Sequence, residues 1–159
     1  MATHSVLKWL HTLHRGAWRK IQTGTNTLMS APSPTRYDGF VPGRHGIDAF
    51  GAGGFRFAGM SHKGSILALP SGIHKWDAAL PGDISLASLA ALLAEPRGAV
   101  ELLLLGTGAE LAPQPDALRW RLRDAGVRLE VMQTSAAART YNILLSENRR
   151  VAAALLAVD

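Results

Sequence analysis

Cysteine is absent from the chain, which removes disulfides, thiolate metal sites and a cysteine nucleophile together. No apolar run approaches the roughly 18 residues that a membrane-spanning helix needs. The longest runs, "VELLLLG" and "VAAALLAV", have the length of a strand or a short helix. Charge is sparse, with 18% charged residues against 47% hydrophobic, a globular rather than a disordered composition. Acid is missing altogether from residues 1–36, which hold Lys8, Arg15, Arg19, Lys20 and Arg36. Residues 37–159 balance 12 basic side chains with 12 acidic ones, so the formal net charge of +5 and the pI near 10.2 belong to the tail. A charge-balanced domain lacks the broad basic footprint of nucleic-acid binding, and no nucleic-acid partner is expected.

The chain therefore divides into a basic, flexible tail over 1–36 and a single α/β domain over 37–159, long enough to bury a proper core. In "SVLKWLHTLHRGAWRKIQ", Val6, Leu7, Leu10, Leu13, Ala17, Trp18 and Ile21 follow helical spacing, with the basic residues mostly off that stripe. Such a segment has the pattern of a mitochondrial presequence, or of a helix that makes peripheral contact with a membrane surface. A third reading is an upstream start without a role, with Met29 as the alternative initiator. The linker "TGTNTLMSAPSPT" offers little apolar surface to offset the entropy of ordering. Cysteine usage fits a reducing compartment, the bacterial cytoplasm or alternatively the mitochondrial matrix.

From Tyr37 onward, "IDAF", "FRFAG", "SILALP" and "GIHKWD" read as short strands. "SLASLAALLAE" reads as a helix with Ser85 as N-cap, stopped by Pro96. "VELLLLG", apolar on both faces, is a buried central strand, and "PDALRWRLRDAG" is a helix ended by Gly126 at C′. "VRLEVM" points Val127, Leu129 and Val131 inward and Arg128 and Glu130 outward. A last helix within 135–157 gathers Tyr141, Leu144, Leu145, Val151, Ala152, Leu155 and Leu156 on one face. Strands followed by alternating helices and strands imply parallel pairing with right-handed crossovers, hence a mixed central sheet.

The glycine-dense "FGAGGFRFAGMSHKGS" nearly fits two phosphate motifs and satisfies neither. Gly51 and Gly53 supply the first two glycines of G-x-G-x-x-G, but Arg56 stands where the third belongs. Gly54 and Gly59 have the spacing of a P-loop, but Met60 replaces its lysine. A strand pattern rather than a helix follows, so no helix N-terminus is there to hold an anion. Gly51, Gly53 and Gly54 are therefore read as positive-φ turn residues between strands.

Beyond the central strand lie Gly106, Thr107 and Gly108, and beyond "VRLEVM" lie Thr134 and Ser135. In open α/β sheets the ligand crevice sits past the carboxyl ends of the strands, so these five form the candidate ligand site. The competing reading for Thr134 and Ser135 is a helix N-cap. Ser61 and His62 are adjacent on an extended segment and point to opposite faces, which prevents easy proton sharing. Ser61, His62 and Lys63 are read as solvated turn residues. No His, Asp or Glu grouping has metal-ligand spacing, so no metal site, no cofactor and no catalytic residue is assigned.

The stretches "IDAFGAGGFRFAGMSHKGSILALPSGIHKW", "LLLLGTGAELAPQP" and "LEVMQTSAAARTYNILLSENRRVAAALL" resemble the small single-domain family of mitochondrial NADH:ubiquinone oxidoreductase (complex I) assembly factor 3 and its bacterial and archaeal relatives. The resemblance covers about residues 46–157. It implies a three-layer α/β fold around a mixed sheet of about five strands, which with the leading strands gives an extra N-terminal β-hairpin layer. It carries over no catalytic set. Two functions follow. One is a non-catalytic interaction protein whose partner is a respiratory complex subunit or assembly factor, with Ser61, His62, Lys63, Trp76 and Trp120 as anchors, Trp76 alternatively being core. The other is a small-molecule-binding protein or unassigned enzyme working through the loops at the sheet's C-terminal edge.

Overall fold

The computed structural model describes residues 19–20 and 39–159. In chain order its strands and helices are β1 (Arg19–Lys20), β2 (Phe40–Pro42), β3 (Ala49–Gly51), β4 (Gly54–Phe57), β5 (Met60–Lys63), β6 (Ser65–Leu69), β7 (Gly72–Trp76), α1 (Ala90–Leu93), β8 (Leu102–Gly106), α2 (Asp116–Asp124), β9 (Arg128–Met132), α3 (Thr134–Ser146) and β10 (Val151–Leu155). Six strands form one mixed sheet in the order β2-β7-β6-β10-β8-β9, one strand more than expected. Strand β8 runs parallel to both β10 and β9, while β6 pairs antiparallel with β10 and β7. The smaller antiparallel sheet, β1-β3-β4-β5, is the expected hairpin layer.

Alternation along the central strands divides the core in two. Leu67, Leu69, Leu103, Leu105, Ala152 and Ala154 face α1 and α2, meeting Leu92, Leu118 and Leu122. Their neighbours Ile66, Ala68, Leu104, Ala153 and Leu155 face α3 and the small sheet, meeting Ala137, Ala138 and Tyr141 on one and Phe50, Phe55 and Phe57 on the other. The fold is thus three-layered: helices, the six-stranded sheet, then α3 beside the small sheet. The three phenylalanines are wholly buried, and each contributes about 1.5–3 kcal/mol by leaving water.

Two expected helices are changed. Residues 134–146 are helical, but the chain then turns through Asn148, at φ 59°, and Val151–Leu155 becomes the strand between β6 and β8. Its five residues are all buried, so no alternating stripe marks it as a strand, and its apolar residues extend the helical face read over 135–157. The helix expected over 85–95 shrinks to a 3-10 turn, Ala87–Leu89, and the single turn α1. The cap positions are Leu86 and Leu89 rather than the expected Ser85, which lies one residue earlier and exchanges bonds with Ser88: the Ser88 N–H donates to Ser85 Oγ at 3.1 Å and the Ser85 N–H to Ser88 Oγ at 2.9 Å. Trp76 Nε1–H donates to the Ser88 carbonyl at 2.8 Å, where the 3-10 turn passes into α1.

The glycine segment consists of turns. Ala52 and Gly53 join β3 to β4 with φ of 50° and 76°, and Ala58 and Gly59 join β4 to β5 with φ of 51° and 73°. Positive φ at both central residues is what a two-residue type I′ hairpin loop requires. Gly54 has a different reason from the turn role expected of it. It lies within β4 opposite Lys63, and a Cβ there would fall 2.1 Å from the His62 carbonyl oxygen. Ser61–Lys63, expected as a turn, belongs to β5, in register with β4. Arg19 and Lys20, expected on a helix, pair as β1 with Phe50 and Ala49; the rest of the amphipathic stretch and the linker lie outside the described residues.

Candidate functional site

The loops after β8 and β9 do meet at the C-terminal edge of the sheet. The Thr107 N–H donates to the Met132 carbonyl at 3.0 Å, and the Thr134 N–H to the Gly108 carbonyl at 2.9 Å. Gly106 lies so close to Thr134 that a Cβ there would sit 2.8 Å from the Thr134 Cα, which is why the position is glycine. The buried hydroxyls at this meeting point are engaged within the protein. Thr134 Oγ1 accepts from the Gly108 N–H at 3.0 Å and donates to the Leu156 carbonyl at 2.8 Å, tying the β8 loop to the end of β10. Thr107 Oγ1 donates to the Glu110 carbonyl at 2.8 Å and accepts from the Ala112 N–H at 2.9 Å, closing the long loop on itself. Thr134 is therefore a staple between strands rather than an N-cap, the cap position being Gln133. Ser135, half-buried, stands in the first turn of α3.

A second polar constellation holds the layers together. Asn142 Oδ1 accepts from the Ile47 N–H and Asn142 Nδ2 donates to the Ile47 carbonyl, both at 2.8 Å. Next to it, Tyr141 Oη donates to the His45 carbonyl at 3.4 Å, and burial pushes its pKa up to about 12, so it remains a donor. "TYN" thus clamps the chain entering the small sheet onto α3. The single-residue offset of Asn142 from the apolar stripe, with an amide able to serve both backbone groups, is the signal in the sequence.

The remaining anchors separate by exposure. Trp76 is core, 5% exposed, whereas Trp120 on the outer side of α2 is 61% exposed. His62 is buried, and its Nε2 donates to the Ser65 carbonyl at 3.1 Å; desolvation lowers its pKa. Ser61 is half-buried on the same strand and Lys63 exposed at its end. Among the described residues no three His, Asp or Glu side chains come together as a metal-binding group, and no helix is long and apolar enough to cross a membrane. The concavity between α2 and β9, lined by Arg119, Arg123, Arg128, Glu101 and Glu130, lies toward the opposite end of β8 and β9 from the Thr107–Thr134 loops.

Residues 47–156 match the model of the DUF498/DUF598 family, described as proteins of unknown function. The chain belongs to this family. An uncharacterised family relative from Rhodobacter capsulatus is 46% identical over 128 residues, covering 79% of this chain and 92% of the relative. NADH dehydrogenase [ubiquinone] 1 alpha subcomplex assembly factor 3 of Danio rerio is 36% identical over 111 residues, and the human factor 31%. Each of these alignments covers 69% of this chain, but only 63% of the zebrafish factor and 59% of the human one. Among solved structures, a Bartonella henselae protein described as an outer membrane protein is 47% identical with a TM-score of 0.70, covering 74% of this chain and 98% of its own. A Mth938-like domain from Bordetella pertussis is 32% identical with a TM-score of 0.63, covering 82% and 91%. The DUF498/DUF598 match includes the Asn142–Ile47 pair of the clamp, though not His45, and the staple from Gly108 through Thr134 to Leu156.

Proposed function

We propose that this DUF498/DUF598 protein is a non-catalytic interaction protein acting in the assembly of a respiratory NADH dehydrogenase, where it holds a subunit or another assembly factor. The similarity to assembly factor 3 across 69% of the chain carries this reading. The geometry supports it from the side of chemistry. Thr107, Thr134 and Asn142 direct their polar atoms at backbone groups of the protein itself. Large apolar side chains meanwhile stand in solvent, Trp120 at 61% and Ile143 at 58% exposure. Tryptophan is among the residue types enriched at the energetic centres of protein interfaces. The place of action is the bacterial cytoplasm or, for an organellar protein, the mitochondrial matrix.

Affinity purification of the tagged full chain from its native host tests this. The reading expects a respiratory subunit or assembly partner among the recovered proteins. Recovery of neither would overturn it.

A further inference from the structure

Strand β9 ends the six-stranded sheet. The Arg128 N–H donates to Glu101 and the Thr107 N–H to Met132, which with the parallel register turns Arg128, Glu130 and Met132 toward β8. Leu129 and Val131 consequently present their backbone groups outward. Of these, only the Leu129 carbonyl has a partner among the described residues, the guanidinium of Arg119. Two N–H groups and one C=O thus form an open edge, of the kind that accepts an added strand.

Charge around this edge is one-sided. Beside it runs a concavity of about 520 Å³ between α2 and β9. Arg119 and Arg123, one helical turn apart, flank it from α2, and Arg128 from β9. Glu130 is paired with Arg128 at 3.4 Å, and Glu101 with Arg150 at 2.7 Å and Arg149 at 3.9 Å. Of the charged groups lining the groove, three arginines and two glutamates, both glutamates are already paired, and neither Arg119 nor Arg123 has a carboxylate partner among the described residues. Trp120 stands beside Arg123 on the outer face of α2.

We propose that the outer edge of β9 and the arginine-lined groove beside it receive an extended acidic segment of a partner protein as an added strand. Leu129 and Val131 supply the main-chain bonds. Arg119 leaves the Leu129 carbonyl for a carboxylate of the incoming strand, and Arg123 binds a second. Charge selects this occupant over the alternatives. The acid-free segment 1–36 has the same sign as the groove, and a second copy pairing edge to edge would bring its own Arg119, Arg123 and Arg128 against these. The inference names the surface through which the interaction protein proposed above would hold its partner, and it rests on that reading.

The test titrates the isotope-labelled full chain with two capped peptides, Glu-Val-Glu-Val-Glu-Val and Lys-Val-Lys-Val-Lys-Val, followed by amide NMR and hydrogen exchange. The acidic peptide should shift the amides of Val127–Gln133 and slow exchange at Leu129 and Val131. The double variant Arg119→Glu/Arg123→Glu should weaken its binding about tenfold or more, since like charges then face one another. Arg56→Glu, on the small sheet, should leave binding unchanged, and the spectra themselves report whether each variant is folded. Equal binding of the basic peptide, shifts scattered over the surface, no shifts, or self-association through β9 in sedimentation would each overturn the proposal. Purification from the native host with the double variant separates the two levels. If it recovers the same partner as the wild type, the β9 edge is refuted and the interaction reading stands. If the wild type itself recovers no respiratory partner, the interaction reading fails.

Discussion

Asn142 and Ile47, 95 positions apart, form a closed two-bond pair: the side-chain amide of one accepts the N–H and donates to the carbonyl of the other, both at 2.8 Å. The pair is buried and joins α3 to the segment that leads into β3. Replacing Asn142 by Leu should destabilise the protein by about 2–4 kcal/mol, because two buried backbone groups lose their partners at once. Urea unfolding measures it. A loss below about 0.5 kcal/mol would show that water or a shifted side chain replaces the amide.

Thr134 makes a similar prediction at the other end of α3. Thr134→Val keeps the shape but removes the bonds to Gly108 and Leu156, and should cost about 2–4 kcal/mol. Ser135→Ala, one residue on, should lie within about 0.5 kcal/mol of wild type. Comparable losses in the two variants would refute the staple.

Ala58 sits at φ 51° in the β4–β5 turn, where an alanine Cβ is strained and asparagine is tolerated. Ala58→Asn should stabilise the protein by roughly 0.5–1 kcal/mol, seen as a raised melting temperature. A lowered one would mean that the alanine methyl does something the turn geometry does not reveal.

How far these features could be read in advance differs by region. Gly126 marks its helix end through local chemistry, Ser85 stands one residue before the cap position it was expected to fill, and the strands 65–69 and 72–76 flank a turn readable as "PSG". Strand β10 does not read as a strand: an alanine-rich run buried on both faces has no period-two alternation, and alanine itself favours helix. Strand β5, "MSHK", is polar because it lies at a sheet edge, and so it resembles a turn. At the candidate site the sequence brought Gly106, Thr107, Gly108 and Thr134 to one edge, but not the internal bonds that occupy their hydroxyls. Those bonds depend on Glu110, Ala112 and Leu156, whose contribution is main-chain and invisible in side-chain types.

Burial lowers the folded-state pKa of both His62 and His74 below 6.5. In the window between that lowered value and 6.5 the unfolded chain binds more protons. The contribution is therefore full above 6.5 and is lost as pH falls through the folded value. Urea midpoints should fall between pH 7.5 and pH 5, and His62→Gln should flatten part of that dependence. A midpoint that rises on acidification would contradict the buried, neutral histidine.

The proposed role in assembling a respiratory NADH dehydrogenase makes complex I in the native host depend on this protein. The most direct measurement is native-gel quantification of assembled complex I in the native host after deletion of the gene, with re-expression of the full chain as control. From that dependence, a fall in the assembled complex, accumulation of subcomplexes, and recovery on re-expression are expected. Wild-type amounts of fully assembled, active complex in the deletion strain would contradict it.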